Sequence, residues 1–148
     1  MAFVLDASAA LAWASPDEAP SAELAAAVAS GAAVALSLWP YEVQNVLSVL
    51  RRRGRLTGED WAAAAGAVRA IRIEIETADR RRVEEDVLEV AEVHGLTVYD
   101  SAYLELAMRR RIPLATLDAV LRKSATSADG ENTSSLRHPL RIAASRSD

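Results

Sequence analysis

Helices alternating with short apolar strands predict an α/β domain whose mostly parallel sheet is covered on both faces. Three observations carry that expectation. Apolar runs of strand length lie near residues 1–5, 32–36, 71–75 and 112–117. The stretches between them place apolar residues three and four apart, as Val43, Val46, Leu47 and Leu50 do. The chain has 148 residues, 51% hydrophobic and 26% charged, which suits one domain with one core.

Met1–Leu5 reads as a buried strand ending at an acid. Ala7–Ala14 reads as a short helix, with Asp6 or Ser8 available to cap it. Ser15–Glu18 is loop, and the Ala-rich Ser21–Ser30 is a helix stopped by Gly31. Ala32–Leu36 is the second strand. Pro40 suits the first turn of the next helix, which runs to about Arg53 and Gly54. Thr57-Gly58-Glu59-Asp60 resembles a capping box with Asp in place of Glu, and opens a helix to about Arg72.

Ile71, Ile73 and Ile75 alternate with Arg72, Glu74 and Glu76, so a third strand lies there. Arg80–His94 is a helix with Val83, Val87, Val90 and Ala91 inward and five acids outward, closed by Gly95. Asp100–Arg111 is a further helix, Ile112–Leu117 a fourth strand, and Asp118–Lys123 the start of a last helix. The chain divides into a core domain over 1–123 and a polar segment over 124–148. Ser124–Ser135, rich in Ser, Thr, Asp and Gly, reads as mobile loop, Pro139–Ala143 as one edge strand, and the last residues as frayed.

With no cysteine, a disulfide framework, a zinc ribbon and a thiol nucleophile are excluded. Two histidines, His94 and His138, leave no His-rich metal site, and neither is placed to act as a general base. No apolar run approaches the roughly 20 residues of a membrane span. No signal peptide precedes the first strand, so the expected location is cytoplasmic. A net charge of −4 does not advertise nucleic-acid binding. The distribution says more: residues 1–50 hold five acids and no Lys or Arg, and 16 of the 17 basic residues are Arg. They cluster at 51–55, 80–82 and 109–111. Arg suits bidentate contact with phosphate, and it equally suits a solvated helix end.

The informative feature is where the acids fall. Asp6 and Asp118 directly follow the first and fourth strands. Asp100 follows Leu96–Tyr99 and opens a helix, and Glu42 lies in the first turn after the second strand. In an open parallel sheet the carboxyl ends of the strands share one edge, where the ligand crevice lies. Each acid alone also reads as a helix cap or a first-turn residue. Together they would repel, and raise one another's pKa, unless a cation intervened. An all-oxygen donor set suits Mg²⁺ or Mn²⁺. Such an ion lets a bound water, as hydroxide, attack phosphorus while it neutralises the developing charge. Ser8, Ser101 and Thr116 stand beside the acids, as hydrogen-bond donors to them or as small turn residues.

FVLDASAALAW (3–13), SLWPYEVQNVLSVLRRRGRLT (37–57) and HGLTVYDSAYLELAMRRRIPLATLDAVLRK (94–123) resemble the PIN-domain ribonucleases, and among them the VapC toxins of bacterial toxin–antitoxin pairs. The resemblance spans about residues 1–123. It implies a PIN-like three-layer α/β/α fold with four to five strands and an acidic site at Asp6, Glu42, Asp100 and Asp118, with Ser8 and Thr116 as its hydroxyl residues. It further implies a Mg²⁺- or Mn²⁺-dependent endoribonuclease acting on structured RNA. Its implied partners are a second copy of the chain and a small VapB-like antitoxin that wraps the toxin and blocks its site, in a heterotetramer or larger. The polar segment 124–148 departs from the fifth apolar strand usual in the family.

Arg51, Arg52, Arg109 and Arg110 flank the segments carrying Glu42 and Asp100, so they are the phosphate-contact candidates. Trp13, Trp39, Trp61, Tyr41, Tyr99 and Tyr103 can stack on unpaired bases or pack inward. Val46, Leu47, Leu50 and Trp61 can form an apolar groove for a partner helix or a second subunit. Two rival functions stay open. A phosphatase also places Asp after its first strand, but usually as Asp-x-Asp, where this chain has Asp6-Ala7-Ser8. A non-catalytic partner-binding module needs no intact acids.

Overall fold

The computed structural model describes the backbone of residues 1–132 and the side chains of residues 1–128. Four strands form one parallel sheet in the order β3-β2-β1-β4. They are β1 (Phe3–Leu5), β2 (Ala33–Leu36), β3 (Ile73–Glu76) and β4 (Leu114–Ala115). β1 pairs with β2 on one side, Phe3 opposite Ala33, and with β4 on the other, Val4 opposite Leu114. β1 and β2 are buried throughout, as strands covered on both faces must be. β3 lies at an edge, and its burial does not follow the Ile/Glu alternation of its sequence: Ile73 and Glu76 are half-buried and Glu74 and Ile75 exposed. Its Ile75 is 41% exposed, while the ladder to β2 runs from Ala33–Ile73 to Leu36–Glu76.

The helices are α1 (Ala7–Ala10), continued by a 3₁₀ turn Leu11–Trp13, α2 (Ala22–Ala29), α3 (Trp39–Arg52) and α4 (Gly58–Arg69). After β3 come α5 (Arg80–Arg82), a π-helical stretch Val83–Val87, α6 (Leu88–His94), α7 (Val98–Arg110) and α8 (Ala119–Asn132). α3 buries Trp39, Val43 and Leu47 against the sheet. α7 buries the largest number of residues of any described helix, Tyr103, Leu104, Leu106 and Ala107 among them. These residues join Phe3, Val4, Leu5, Leu24, Val34, Leu56 and Val68 in the buried interior.

Several sequence expectations change. Ser124–Asn132 is not loop: α8 continues through it, and Leu121, Ser124 and Ala128 at helical spacing face inward. Pro139–Ala143 lies outside the described residues. Thr57 sits at the N-cap of α4 but makes no capping bond with its side chain. The π-helical stretch adds a residue to its turn and shifts the helical phase, so Val83 is 40% exposed rather than inward while Val87 is buried. The fourth strand shortens to Leu114–Ala115.

α7 ends on Arg111 at φ 54°, in the left-handed region that glycine normally supplies. Its single backbone N–H still closes the helix, shared between the Ala107 and Met108 carbonyls. Arg111→Gly is therefore expected to stabilise the fold, by about 0.5–1 kcal/mol after the larger unfolded-state entropy of glycine is deducted. An unchanged or lower denaturant midpoint would show that the arginine side chain contributes more than its backbone strain costs.

Candidate active site

The sheet order places the topological switch between β1 and β4, the two strands that diverge in the direction of chain progress. Asp6 and Thr116 follow their ends. The Asp6 N–H donates to the Ala115 carbonyl at 3.0 Å, extending the ladder by one step into the site. Asp6 occupies the N-cap position of α1, yet its side chain makes no capping bond. Its Oδ2 instead accepts the Ser8 hydroxyl and the Thr116 hydroxyl, each at 2.7 Å. These hydroxyls in turn accept the N–H groups of Leu117 and Asp118, both at 3.0 Å. Asp6 is 5% exposed and Thr116 3% exposed, so these bonds replace the water that a buried carboxylate loses. Ser8 and Thr116 therefore hold the Asp6 carboxylate, one of the two readings that their neighbourhood in sequence left open. Ser101 does not take part. It is fully buried and its hydroxyl donates to the Thr97 carbonyl at 2.7 Å, one turn back in its own helix.

Asp100 reaches the site by a route different from a strand end. α7 begins at Val98, because the Thr97 side chain caps it by accepting the Asp100 N–H at 3.2 Å. Asp100 is thus a first-turn residue, half-buried, and not the cap itself. Asp118 does cap: its Oδ1 accepts the Leu121 N–H at 2.8 Å. Glu42 lies in the first turn of α3, as expected, and its Oε1 accepts the Tyr103 hydroxyl at 2.6 Å.

Electrostatics link the four acids. Burial raises the Glu42 pKa above its ordinary value, the Tyr103 hydrogen bond opposes this, and the charges of Asp6 and Asp100 add to the rise. Burial likewise raises Asp100, with further increments from Asp6 and Asp118 and a smaller lowering by Thr97. Burial first, then the Glu42 carboxylate, pushes the Tyr103 phenol far up, so it remains a proton donor at any physiological pH. Among the described residues no three acidic or imidazole side chains close into a ready-made metal cage. The acids form an open cup: near enough to repel, and wider than direct chelation of one bare ion requires. Asp6, Glu42 and Asp118 each have one carboxylate oxygen held by protein hydrogen bonds. The donor set fits a hard cation that keeps part of its water shell, such as Mg²⁺ or Mn²⁺.

A family model described as the PIN domain matches residues 3–126. The chain belongs to the PIN-domain family. That fold is generally a metal-dependent nuclease fold, and its nucleases generally use divalent ions such as Mg²⁺ or Mn²⁺. The crystal structure of PAE2754 from Pyrobaculum aerophilum is similar to this PIN domain, with a TM-score of 0.64 and 29% sequence identity over 84% of this chain and 86% of that one. No curated protein matches the chain. The four-stranded parallel sheet flanked by helices is the three-layer α/β/α architecture that the sequence predicts. No described helix of this PIN domain is long and apolar enough to cross a membrane.

The arginines divide. Arg109 donates to Glu105 at 2.9 Å and also pairs with Glu76, while Arg110 pairs with Glu74 at 3.0 Å and Glu76 at 3.3 Å. Both thus tie α7 to β3 through its Glu74 and Glu76. Arg51 lies over the Trp61 ring at 4.7 Å, a cation–π contact, and Arg52 is exposed. Of the aromatics, Tyr103 and Trp39 are buried, whereas Tyr41 is 80% and Tyr99 66% exposed, each directly preceding an acid of the cup. Leu47 is wholly buried in the core and leaves the expected groove, which keeps Val46, Leu50 and Trp61. Sequence reasoning passed over Tyr103 as a partner of Glu42 and Glu105 as a buried acid. The available signal was the position of Glu105 inside the run Tyr103-Leu104-Glu105-Leu106-Ala107-Met108, apolar on either side of it.

Proposed function

We propose that this PIN domain is a metal-dependent endoribonuclease and the toxin of a type II toxin–antitoxin pair. The observation that carries the reading is the cup itself: carboxylates from chain positions 6, 42, 100 and 118 are gathered so that burial first, and then the charges of neighbouring acids, raise the pKa values of Glu42 and Asp100. Such an arrangement is costly unless a cation resides there. Asp6, Glu42, Asp100 and Asp118 would hold Mg²⁺ or Mn²⁺, directly or through water. When bound, the ion lowers the pKa of water and offsets charge building on a phosphodiester.

The chain's own residues do the rest. Ser8 and Thr116 orient Asp6, Tyr103 orients Glu42, and Arg51 and Arg52 are available to steer the RNA backbone. Neither histidine serves as general base. The antitoxin, a homodimer, higher assembly with the antitoxin and a cytoplasmic location belong to the same proposal. They rest on the motif resemblance and on the partly exposed Val46, Leu50 and Trp61 strip. The rival reading is a partner-binding module without catalysis, and the open spacing of the cup favours it.

Incubation of the purified chain with total RNA separates the two. Cleavage is expected with Mg²⁺ or Mn²⁺, none with excess chelator, and recovery on adding the ion back. Asp6→Asn is expected to keep the fold and lose cleavage. Equal cleavage by parent and Asp6→Asn removes the assignment. Absence of cleavage under every metal condition, in protein freed of any co-purifying partner, favours the binding module.

A further inference from the structure

The cup is acidic, yet its mouth carries apolar side chains. Four of the large apolar residues that the structure leaves exposed stand within two residues of a cup acid: Tyr41 before Glu42, Val98 and Tyr99 before Asp100, and Val120 after Asp118. They belong to the first turns of α3, α7 and α8. Tyr41 and Tyr99 are also the only exposed aromatic rings among the described residues; the others are buried or half-buried. The helical repeat sets Tyr99 one turn before Tyr103, on the same flank of α7. Tyr103 crosses to Glu42 of α3 at 2.6 Å. That bond draws the first turn of α3, which carries Tyr41, toward the flank of α7 that carries Tyr99.

Cations are scarce in the same place. Residues 1–50 hold no Lys or Arg. Arg109 and Arg110 are paired with acids of β3. Arg122, the basic residue closest in sequence to any of the four acids, donates to the Thr116 carbonyl at 3.2 Å. A strand whose phosphate is drawn to the cup therefore meets flat rings beside it more readily than positive charge. Every base has a face that can stack on such a ring, whatever its identity. We propose that Tyr41 and Tyr99 are the base-holding residues of the substrate site, each stacking on one unpaired nucleotide beside the phosphate over the cup, with Val98 and Val120 completing the rim. The inference rests on the nuclease reading of the cup and deepens it. It names the residues that carry substrate affinity, and makes that affinity depend on bases more than on backbone charge.

The test uses the full chain carrying Asp6→Asn, so that a bound strand stays whole, with Mg²⁺ present. Fluorescence anisotropy reports its affinity for a short unpaired RNA and for an abasic strand of equal length, which keeps the phosphates and lacks the bases. Tyr41→Leu and Tyr99→Leu are each expected to lower the ratio of the two affinities about tenfold, the worth of one stacked base. Tyr41→Phe and Tyr99→Phe keep the ring, and should keep the ratio within about twofold. In the chain with Asp6 intact, the leucine substitutions are expected to raise KM for RNA and leave kcat nearly unchanged. Both rings are exposed, so thermal unfolding should move little. A ratio that neither leucine substitution moves, in a chain that cleaves RNA, overturns the inference and leaves the nuclease reading standing, with the rim then open to a polypeptide. A chain that neither binds nor cleaves RNA overturns that reading, and the inference with it.

Discussion

Asp100→Asn is expected to melt at a higher temperature than the parent chain in metal-free buffer at neutral pH, and to cleave RNA about 10³-fold more slowly. The two effects share one cause. Burial, Asp6 and Asp118 hold the folded-state pKa of Asp100 above its ordinary 3.8. Between the unfolded and folded values the folded chain binds more protons, so stability falls as pH rises through that window. The penalty is absent below the unfolded pKa and complete above the folded one. Asparagine removes it, and removes with it one donor for the cation that would otherwise relieve it. Thermal melts from acid to neutral pH should converge at the acid end and separate toward neutrality, with saturating Mn²⁺ raising the parent but not the variant. A variant that melts below the parent at neutral pH would mean that Asp100 serves the fold as a first-turn charge.

Glu105→Ala is expected to lower the unfolding free energy by about 3 kcal/mol, a loss typical of breaking a buried pair. The Glu105 side chain is 8% exposed and accepts from Arg82 at 3.1 Å and Arg109 at 2.9 Å. Through Arg109 and Glu76 the chain of pairs reaches Arg110 and Glu74, fastening α5 and α7 to the edge strand. Glu105→Gln, which keeps one acceptor, should cost roughly half as much. A loss in Glu105→Ala below about 0.5 kcal/mol would place these arginines among ordinary solvated surface pairs, whose worth is small.

The sheet was legible because β1 and β2 are covered on both faces, so their apolar runs are continuous and bounded by an acid or a turn. β3 was legible by its alternation, and edge exposure explains why Ile75 still meets solvent. β4 was overlong in expectation because Ile112 and Leu117 are apolar, but only Leu114 and Ala115 pair with β1. The positions of Asp6, Glu42 and Asp118 followed from strand and helix ends. Local capping preferences did not decide between cap and site: Asp118 caps, Asp6 does not, and Asp6 is set apart by a threonine 110 residues away. The pairing of Arg109 and Arg110 with β3 was invisible for a similar reason. A run of three arginines at the end of a helix looks identical whether it is solvated by water or paired with acids of a strand 33 to 36 residues earlier. The Tyr103–Glu42 bond joins two helices that no local pattern relates.

The ladder between β1 and β4 joins the first residues of the domain to some of its last. Closing so long a loop is slow relative to forming local helices. A chain shortened before residue 114 would keep Asp6, Glu42 and Asp100 but lose Asp118, the strand that continues into Asp6 and the Thr116 hydroxyl that holds its carboxylate, so the two ends of this ladder cannot be separated without taking the cup apart.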